Sequence, residues 1–217
     1  DYARFVDVSR AIEAKYAYNM DKGSQIITTE MEAMSATKGA DGKWMFSGNP
    51  VTLIMLIRTE DKRKDIGDYF ATQLEAVGFT VDRQYKTRSE ASPIWVGGNP
   101  TDGLFNIYTG GWITTAISRD QGADFSFYYT KNDYPIPLFQ AYTNSDAFET
   151  VALKLRNNDF NSMDERATLF REALPLSVES SQRVWVVDQI SFSPAVADLA
   201  VTYDLAGGVA GSQLWPY

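Results

Sequence analysis

The clearest pattern in the chain is a continuous apolar run, Val51 to Ile57 (VTLIMLI), set between Gly48-Asn49-Pro50 and Arg58-Thr59. A short run without polar alternation predicts a strand covered on both faces. Beyond Thr59 the period changes to 3.6, with Ile66, Tyr69, Phe70, Leu74 and Val77 on one stripe. That spacing predicts a helix capped by Thr59, with Glu60 and Asp61 in a first turn where the dipole favours anions. Gly78 is placed to close it in a left-handed turn. Phe79 to Tyr85 (FTVDRQY) reads as a second strand. Strand, helix and strand in such close succession make a βαβ unit, which implies parallel pairing and a right-handed crossover.

The remaining patterns are shorter. Asp21 to Thr37 reads as a helix ending at Gly39, and Ala40 to Trp44 (ADGKW) turns into Met45 and Phe46. After the loop Gly97 to Gly103 (GGNPTDG), a third strand begins at Leu104 and runs into Gly110, Gly111 and Trp112. Ile113 to Tyr142 reads as a long loop rich in aromatics: Phe125, Phe127, Tyr128, Tyr129, Tyr134, Phe139 and Tyr142. Two helices follow. Ser145 to Asn157 carries Phe148, Val151 and Leu155 on one face, and Asp164 to Leu174 opens on a Ser162/Glu165 capping box. Pro175 is expected to kink or end the second. Arg183 to Gln189 (RVWVVDQ) reads as a last strand. The expected fold class is α/β, a mixed sheet flanked by helices, in a single domain over residues 1–217.

Composition narrows the chemistry. With 217 residues, 44 % hydrophobic and 13 % aromatic, the chain can bury a sizeable core. Its longest apolar runs fall far below the roughly 20 residues of a membrane-spanning helix. A net charge of −8 opposes binding to nucleic acid or an anionic lipid surface. The chain has neither cysteine nor histidine. It therefore lacks disulfides, thiolate nucleophiles, the usual general base and the commonest zinc ligand. Asp1 opens the sequence without a methionine or signal peptide, so a processed product or a piece of something larger is expected.

Ser35-Ala-Thr-Lys38 matches the S-x-x-K of serine acyl enzymes, but no K-T-G accompanies it, and a solvated helix terminus is the better account. Asn157 to Glu165 (NNDFNSMDE) is rich in oxygen ligands. Counted from Asp159, an EF-hand's sixth and twelfth positions are Asp164 and Phe170 in place of Gly and Glu, so a helix-capping loop is favoured. The 28 acidic residues leave a carboxylate-based glycoside hydrolase open, although no spacing singles out a pair. A protein-interaction module using the aromatic segment as a flat patch is also open. The strand end is the strongest candidate. α/β sheets bind ligands beyond the carboxyl ends of their strands. Gly110 and Gly111 lack Cβ atoms and permit close approach, and Trp112 offers a flat face with one N–H donor.

With those residues placed, the chain resembles the C-terminal lobe of family 5 extracellular solute-binding proteins, the dipeptide- and oligopeptide-binding components of ABC importers. The family pattern "YDPEKA…LLEEAGF…DG.W" is matched by Tyr18-Asn19-Met20-Asp21-Lys22 through Glu30-Met31-Glu32-Ala33 to Asp41-Gly42-Lys43-Trp44. Gly48-Asn49-Pro50 through Gln73-Leu74-Glu75-Ala76-Val77-Gly78-Phe79-Thr80-Val81 follows the next pattern, Gly111-Trp112 the strand ending in "GW", and Met163-Asp164-Glu165-Arg166 through Ala173 a late one. The resemblance implies one lobe of a periplasmic-binding-protein-like (type II) two-lobed fold, with residues of about 190–217 returning toward a missing N-terminal lobe. It implies extracytoplasmic capture of a small solute and delivery to an ABC transporter permease, without catalysis, cofactor or metal. Ligand contacts are expected from Trp112 by stacking, from the backbone at Gly110 and Gly111, from Thr114 and Thr115, and from Asp124 and Tyr128. Peptide-binding members hold the ligand's α-ammonium with an aspartate three residues after this tryptophan. Here that position is Thr115, with Asp120 and Asp124 further along.

Overall fold

The computed structural model describes residues 2–112, 121–180 and 182–187. In chain order the helices and strands are α1 (Val6–Lys15), α2 (Met20–Ala33), β1 (Thr37–Lys38), β2 (Trp44–Phe46), β3 (Asn49–Pro50), β4 (Thr52–Arg58), α3 (Arg63–Ala76) and β5 (Thr80–Lys86). They continue with α4 (Arg88–Trp95), β6 (Ile107–Tyr108), α5 (Gln121–Tyr129), α6 (Pro137–Gln140), α7 (Asp146–Arg156) and α8 (Met163–Glu179). Two compact units divide these elements. One holds Arg10–Gly111 and Pro135–Tyr142, the other Asp1–Ser9, Trp112–Tyr134 and the chain from Thr143 onward. The expected returning segment, 190–217, lies outside the described residues.

The first unit is built on the expected βαβ motif. β4 is the middle strand of a parallel sheet of order β5-β4-β6, paired from Thr52↔Thr80 to Arg58↔Lys86 on one side. On the other, Met55 and Leu56 pair with Ile107 and Tyr108. A middle strand is covered on both faces, and Met55, Leu56 and Ile57 are at most 1 % exposed. The third strand is shorter than expected, and the residues flanking β6 complete it with side chains. Asn106 N–H donates to Ile54 O at 2.8 Å while Ile54 N–H donates to Asn106 Oδ1 at 2.8 Å. Thr109 N–H donates to Leu56 O at 3.0 Å, and Arg58 N–H donates to Thr109 Oγ1 at 2.8 Å.

α3 starts at Arg63, not at Thr59. Asp61 Oδ1 accepts the Arg63 N–H at 2.9 Å, while Glu60 is drawn to Arg58 and takes no part in the first turn. The far end is as expected: Gly78 adopts φ +104° and Phe79 N–H returns to Leu74 O at 3.1 Å. The face that meets the sheet is centred on Gly67 and Ala71. A Cβ on Gly67 would stand 2.7 Å from Ile57 Cγ2, so the missing side chain lets the helix backbone settle directly on β4. Tyr69, expected on the buried stripe, is exposed as a result.

A small antiparallel sheet of order β1-β2-β3 carries Trp44, which is 1 % exposed and clusters with Met31 and Ala36. Its Nε1–H donates to Val77 O at 3.0 Å, tying β2 to the last turn of α3. α2 ends at Ala33 rather than Thr37, because Ser35 takes φ 66° and Ala36 N–H turns back to Met31 O. Lys38 then lies in β1 with its ammonium over the Trp44 ring at 4.9 Å, where it packs against an indole and activates no serine. α4 was not expected. Thr87 and Glu90 cap it reciprocally, with Thr87 N–H donating to Glu90 Oε2 at 2.7 Å.

The core of the second unit joins α5, α7 and α8 through Phe125, Tyr129, Phe148, Val151, Ala152, Leu155, Leu169 and Ala173. The segment read as a long aromatic loop is thus partly helical. Phe125 and Tyr129 sit four residues apart on the face of α5 that turns to the core. α7 follows the expectation, with Ser145 Oγ accepting Phe148 N–H at 3.3 Å. α8 keeps the Ser162 cap, but the Glu165 carboxylate accepts Asn161 N–H at 2.7 Å in place of Ser162's. The helix runs through Pro175 to Glu179, because Leu174 and Leu176 on either side are packed against the core cluster. Arg171 grips Asp7 through two bonds of 2.6 and 2.5 Å. Residues 183–187 pair with no strand among the described residues; their side chains bind α5 instead.

Candidate ligand-binding site

In the first unit, the carboxyl ends of β4 and β6 gather a polar cluster. Arg58, only 7 % exposed, donates from Nε and Nη2 to the two oxygens of Glu60 at 2.8 and 3.0 Å, and from Nη1 to Tyr108 Oη at 3.0 Å. Glu60 also accepts Arg88 N–H at 2.5 Å. The Arg58 hydrogen bonds, acting against a partial loss of water, hold the Glu60 carboxyl at about 2. The Arg58 guanidinium is pushed up, first by Glu60 and then by Tyr108. Trp95 stacks on Tyr108 with centroids 5.1 Å apart and rings 22° from parallel. An arginine already forked onto a carboxylate has little left to offer an anion, so the cluster works as a brace across the strand ends.

Beyond that brace β6 ends at Tyr108, and Gly110 and Gly111, both exposed, follow after Thr109. A Cβ on Gly110 would meet nothing nearer than the Tyr108 ring at 3.6 Å, and one on Gly111 would meet the Arg63 guanidinium at 3.2 Å. No packed core demands a glycine at Gly110. Among the described residues only the Tyr108 ring stands near a side chain placed there.

Trp112 belongs to the second unit. It is half-buried beside the steeply inclined rings of Phe127, Tyr128 and Tyr134, at centroid distances of 5.7, 5.4 and 5.5 Å. The Arg183 guanidinium stands over the Trp112 ring at 4.9 Å and over the Tyr128 ring at 5.5 Å, and Arg183 Nε–H donates to Tyr128 O at 2.7 Å. Loss of water around Arg183 pulls its pKa down, partly offset by the tyrosines. Asp124 is exposed one turn before Tyr128 on α5. Burial first, and the Asp124 charge next, push the Tyr128 phenol up.

Of the residues singled out in the sequence, Trp112 and Tyr128 are in contact and Asp124 shares α5 with Tyr128, while Gly110 and Gly111 lie in the other unit. Thr114 and Thr115 lie outside the described residues, as does Asp120. Sequence reasoning missed Arg183. A charged residue at the head of the apolar run RVWVV was the available signal.

No protein-family model matches the chain, and no curated protein matches it. Solved structures that share its fold include three family 5 solute-binding proteins. NikZ from Campylobacter jejuni, in complex with Ni(L-His), matches at a TM-score of 0.55 with 13 % identity, over 74 % of this chain and 30 % of that one. A nickel ABC transporter protein from Bacillus halodurans matches at 0.52 with 15 % identity, over 72 % and 30 %. The oligopeptide-binding protein AppA from Bacillus subtilis, in complex with a nonapeptide, matches at 0.51 with 16 % identity, over 72 % and 29 %. The chain thus spans about 30 % of the length of the structures it matches. Its mixed α/β architecture is that of one lobe of a periplasmic-binding-protein-like fold, as the sequence implied. Among the described residues no helix is long and apolar enough to cross a membrane.

Proposed function

We propose that the chain is the ligand-binding lobe of a two-lobed solute-binding protein, which captures a small solute outside the cytoplasm and hands it to an ABC transporter permease without chemical change. The observation that carries this reading is the stretch just past β6, where exposed Gly110 and Gly111 lead directly into Trp112. Ligand recognition beyond the carboxyl ends of parallel strands is the general rule for such sheets. In this reading Trp112 stacks on the solute, the two glycines admit it to the backbone, and Thr114, Thr115, Asp124 and Tyr128 supply polar contacts. Closure of a second lobe buries it.

Thr115 stands where peptide binders place an aspartate, so an α-ammonium would lose a charge-assisted hydrogen bond of about 1.5–3 kcal/mol. The solute is accordingly one that does not depend on a free amino terminus. A thermal-shift panel on the full two-lobed protein tests both levels, using a nonapeptide, its N-acetylated form and the nickel–histidine chelate. A shift with any one supports solute capture, and equal shifts with the free and acetylated peptides support the Thr115 argument. Turnover of a chromogenic glycoside would overturn the reading in favour of a carboxylate hydrolase.

A further inference from the structure

The segment after α8 is fastened to the end of α5 by the side chains of Gln182, Arg183 and Trp185. Gln182 Nε2–H donates to Tyr129 O at 3.1 Å and to Asn144 Oδ1 at 3.3 Å. Arg183 donates to Tyr128 O and lies over Trp112 and Tyr128, as described above. Trp185 Nε1–H donates to Tyr129 Oη at 2.6 Å, and its ring meets Tyr128 edge-on at 5.1 Å. Between and beyond these anchors Val184, Val186 and Val187 are exposed. The segment's valines therefore contribute little apolar burial, and its contacts with the described residues are polar, cation–aromatic and edge-on aromatic, the kind of attachment that opens at low free energy. A guanidinium over an indole face takes the place that any other stacking group would need.

We propose that residues 182–187 are a latch: the Arg183 guanidinium covers the ring face of Trp112, and that face receives a solute only when the latch lets go. The proposal rests on the reading of Trp112 as a binding residue and adds a gate to it. Arg183 acts as a tethered stand-in for a ligand, its Nε–H bonded to the Tyr128 carbonyl while its guanidinium carbon stands over the indole.

The test is 19F NMR of the full chain carrying 5-fluorotryptophan, with the Trp112 line assigned through Trp112→Phe and its exposure read by the soluble radical TEMPOL. In the unchanged chain the radical leaves the Trp112 line nearly unbroadened, and in Arg183→Ala the line broadens several-fold. Arg183→Lys, which keeps the charge and loses the fork, falls between. Ethylguanidinium then restores the sharp line in Arg183→Ala at millimolar concentration and changes nothing in the unchanged chain, whose place is filled. A Trp112 line that broadens as much in the unchanged chain as in Arg183→Ala overturns the latch, and so does one that stays sharp in both. If Arg183→Ala loses its folded spectrum, Gln182→Ala with Trp185→Phe loosens the flanking anchors while leaving Arg183 in place. Broadening between the two extremes is then expected, and none would refute the proposal. A panel in which no solute binds even to Arg183→Ala, with the Trp112 line broadened as expected, would instead count against the proposed function alone.

Discussion

Replacing Gly67 with alanine sets two well-measured effects against each other. A helix-interior Gly→Ala change ordinarily gains about 0.5–1 kcal/mol, through backbone entropy removed from the unfolded chain. Here the new methyl would lie 2.7 Å from Ile57 Cγ2, 3.0 Å from Ile57 Cγ1 and 3.1 Å from Thr109 Cγ2. Ile57 is fully buried and stiff at its branched Cβ, and Thr109 is held by its hydroxyl on Arg58 N–H, so neither yields freely. Overpacking of that kind costs about 1–3 kcal/mol. The balance is a net loss of roughly 1–2 kcal/mol, or about 2–4 °C in melting temperature for each kcal/mol. Gly23→Ala supplies the control. Gly23 is an interior residue of α2 with nothing within 4 Å of the added Cβ, so the entropy gain of about 0.5–1 kcal/mol should appear alone. Urea titrations followed by far-UV circular dichroism should show the two midpoints moving in opposite directions at constant slope. If Gly67→Ala proves as stabilising as Gly23→Ala, the close seating of α3 on β4 is wrong.

Trp112→Ala should weaken solute binding by about 1–3 kcal/mol, with a stability loss below the 3–5 kcal/mol typical of a core tryptophan. Calorimetry and melting curves on the two-lobed protein separate these, and a large drop in melting temperature at unchanged affinity would return Trp112 to the core. Ser145→Ala removes the cap that accepts Phe148 N–H and should cost about 1 kcal/mol, read from the urea midpoint. Glu60 gives a pH signature. Its folded-state pKa lies below the ordinary 4.5, at about 2. The stability it contributes is present above pH 4.5 and is lost as pH falls toward 2. Glu60→Gln should flatten that part of the midpoint-against-pH curve, and an unchanged acid limb would show that the Arg58 brace does not hold in solution.

What could be seen in the sequence was whatever a single period or a single cap announces. The run from Val51 to Ile57 declared a middle strand because both its faces are buried, and Gly78 declared a helix end because its φ of +104° suits no other residue as well. α5 was hidden by its own composition. Phe125 and Tyr129 mark its core face, but Phe127 and Tyr128 put aromatics on the other sides, and a helix apolar all round shows no stripe. α4 was hidden by Pro93 and a weak apolar pattern, although the Thr87/Glu90 box stood in plain view. For the site, Gly110, Gly111 and Trp112 could be read because a strand end has a local signature. Arg183 could not, since its contact with Trp112 joins residues far apart in the chain and depends on where α8 delivers the segment that follows it.

The flanks of β6 bear on how this chain tolerates change over generations. Asn106 and Thr109 each contribute a side-chain oxygen where a ladder would otherwise use a backbone carbonyl, and those oxygens are fixed to particular positions in the sequence. Sliding the strand by two residues would bring Leu104 or Tyr108 to places that need an acceptor of that length, and neither has one. The stretch from Asn106 to Gly111 is therefore keyed like a lock and cannot absorb an inserted or deleted residue without losing its place on β4. The loop ahead of it, Gly97 to Leu104, carries no such key. If the proposed function holds, relatives that take other solutes should vary there in length while the six positions from Asn106 to Gly111 keep their count.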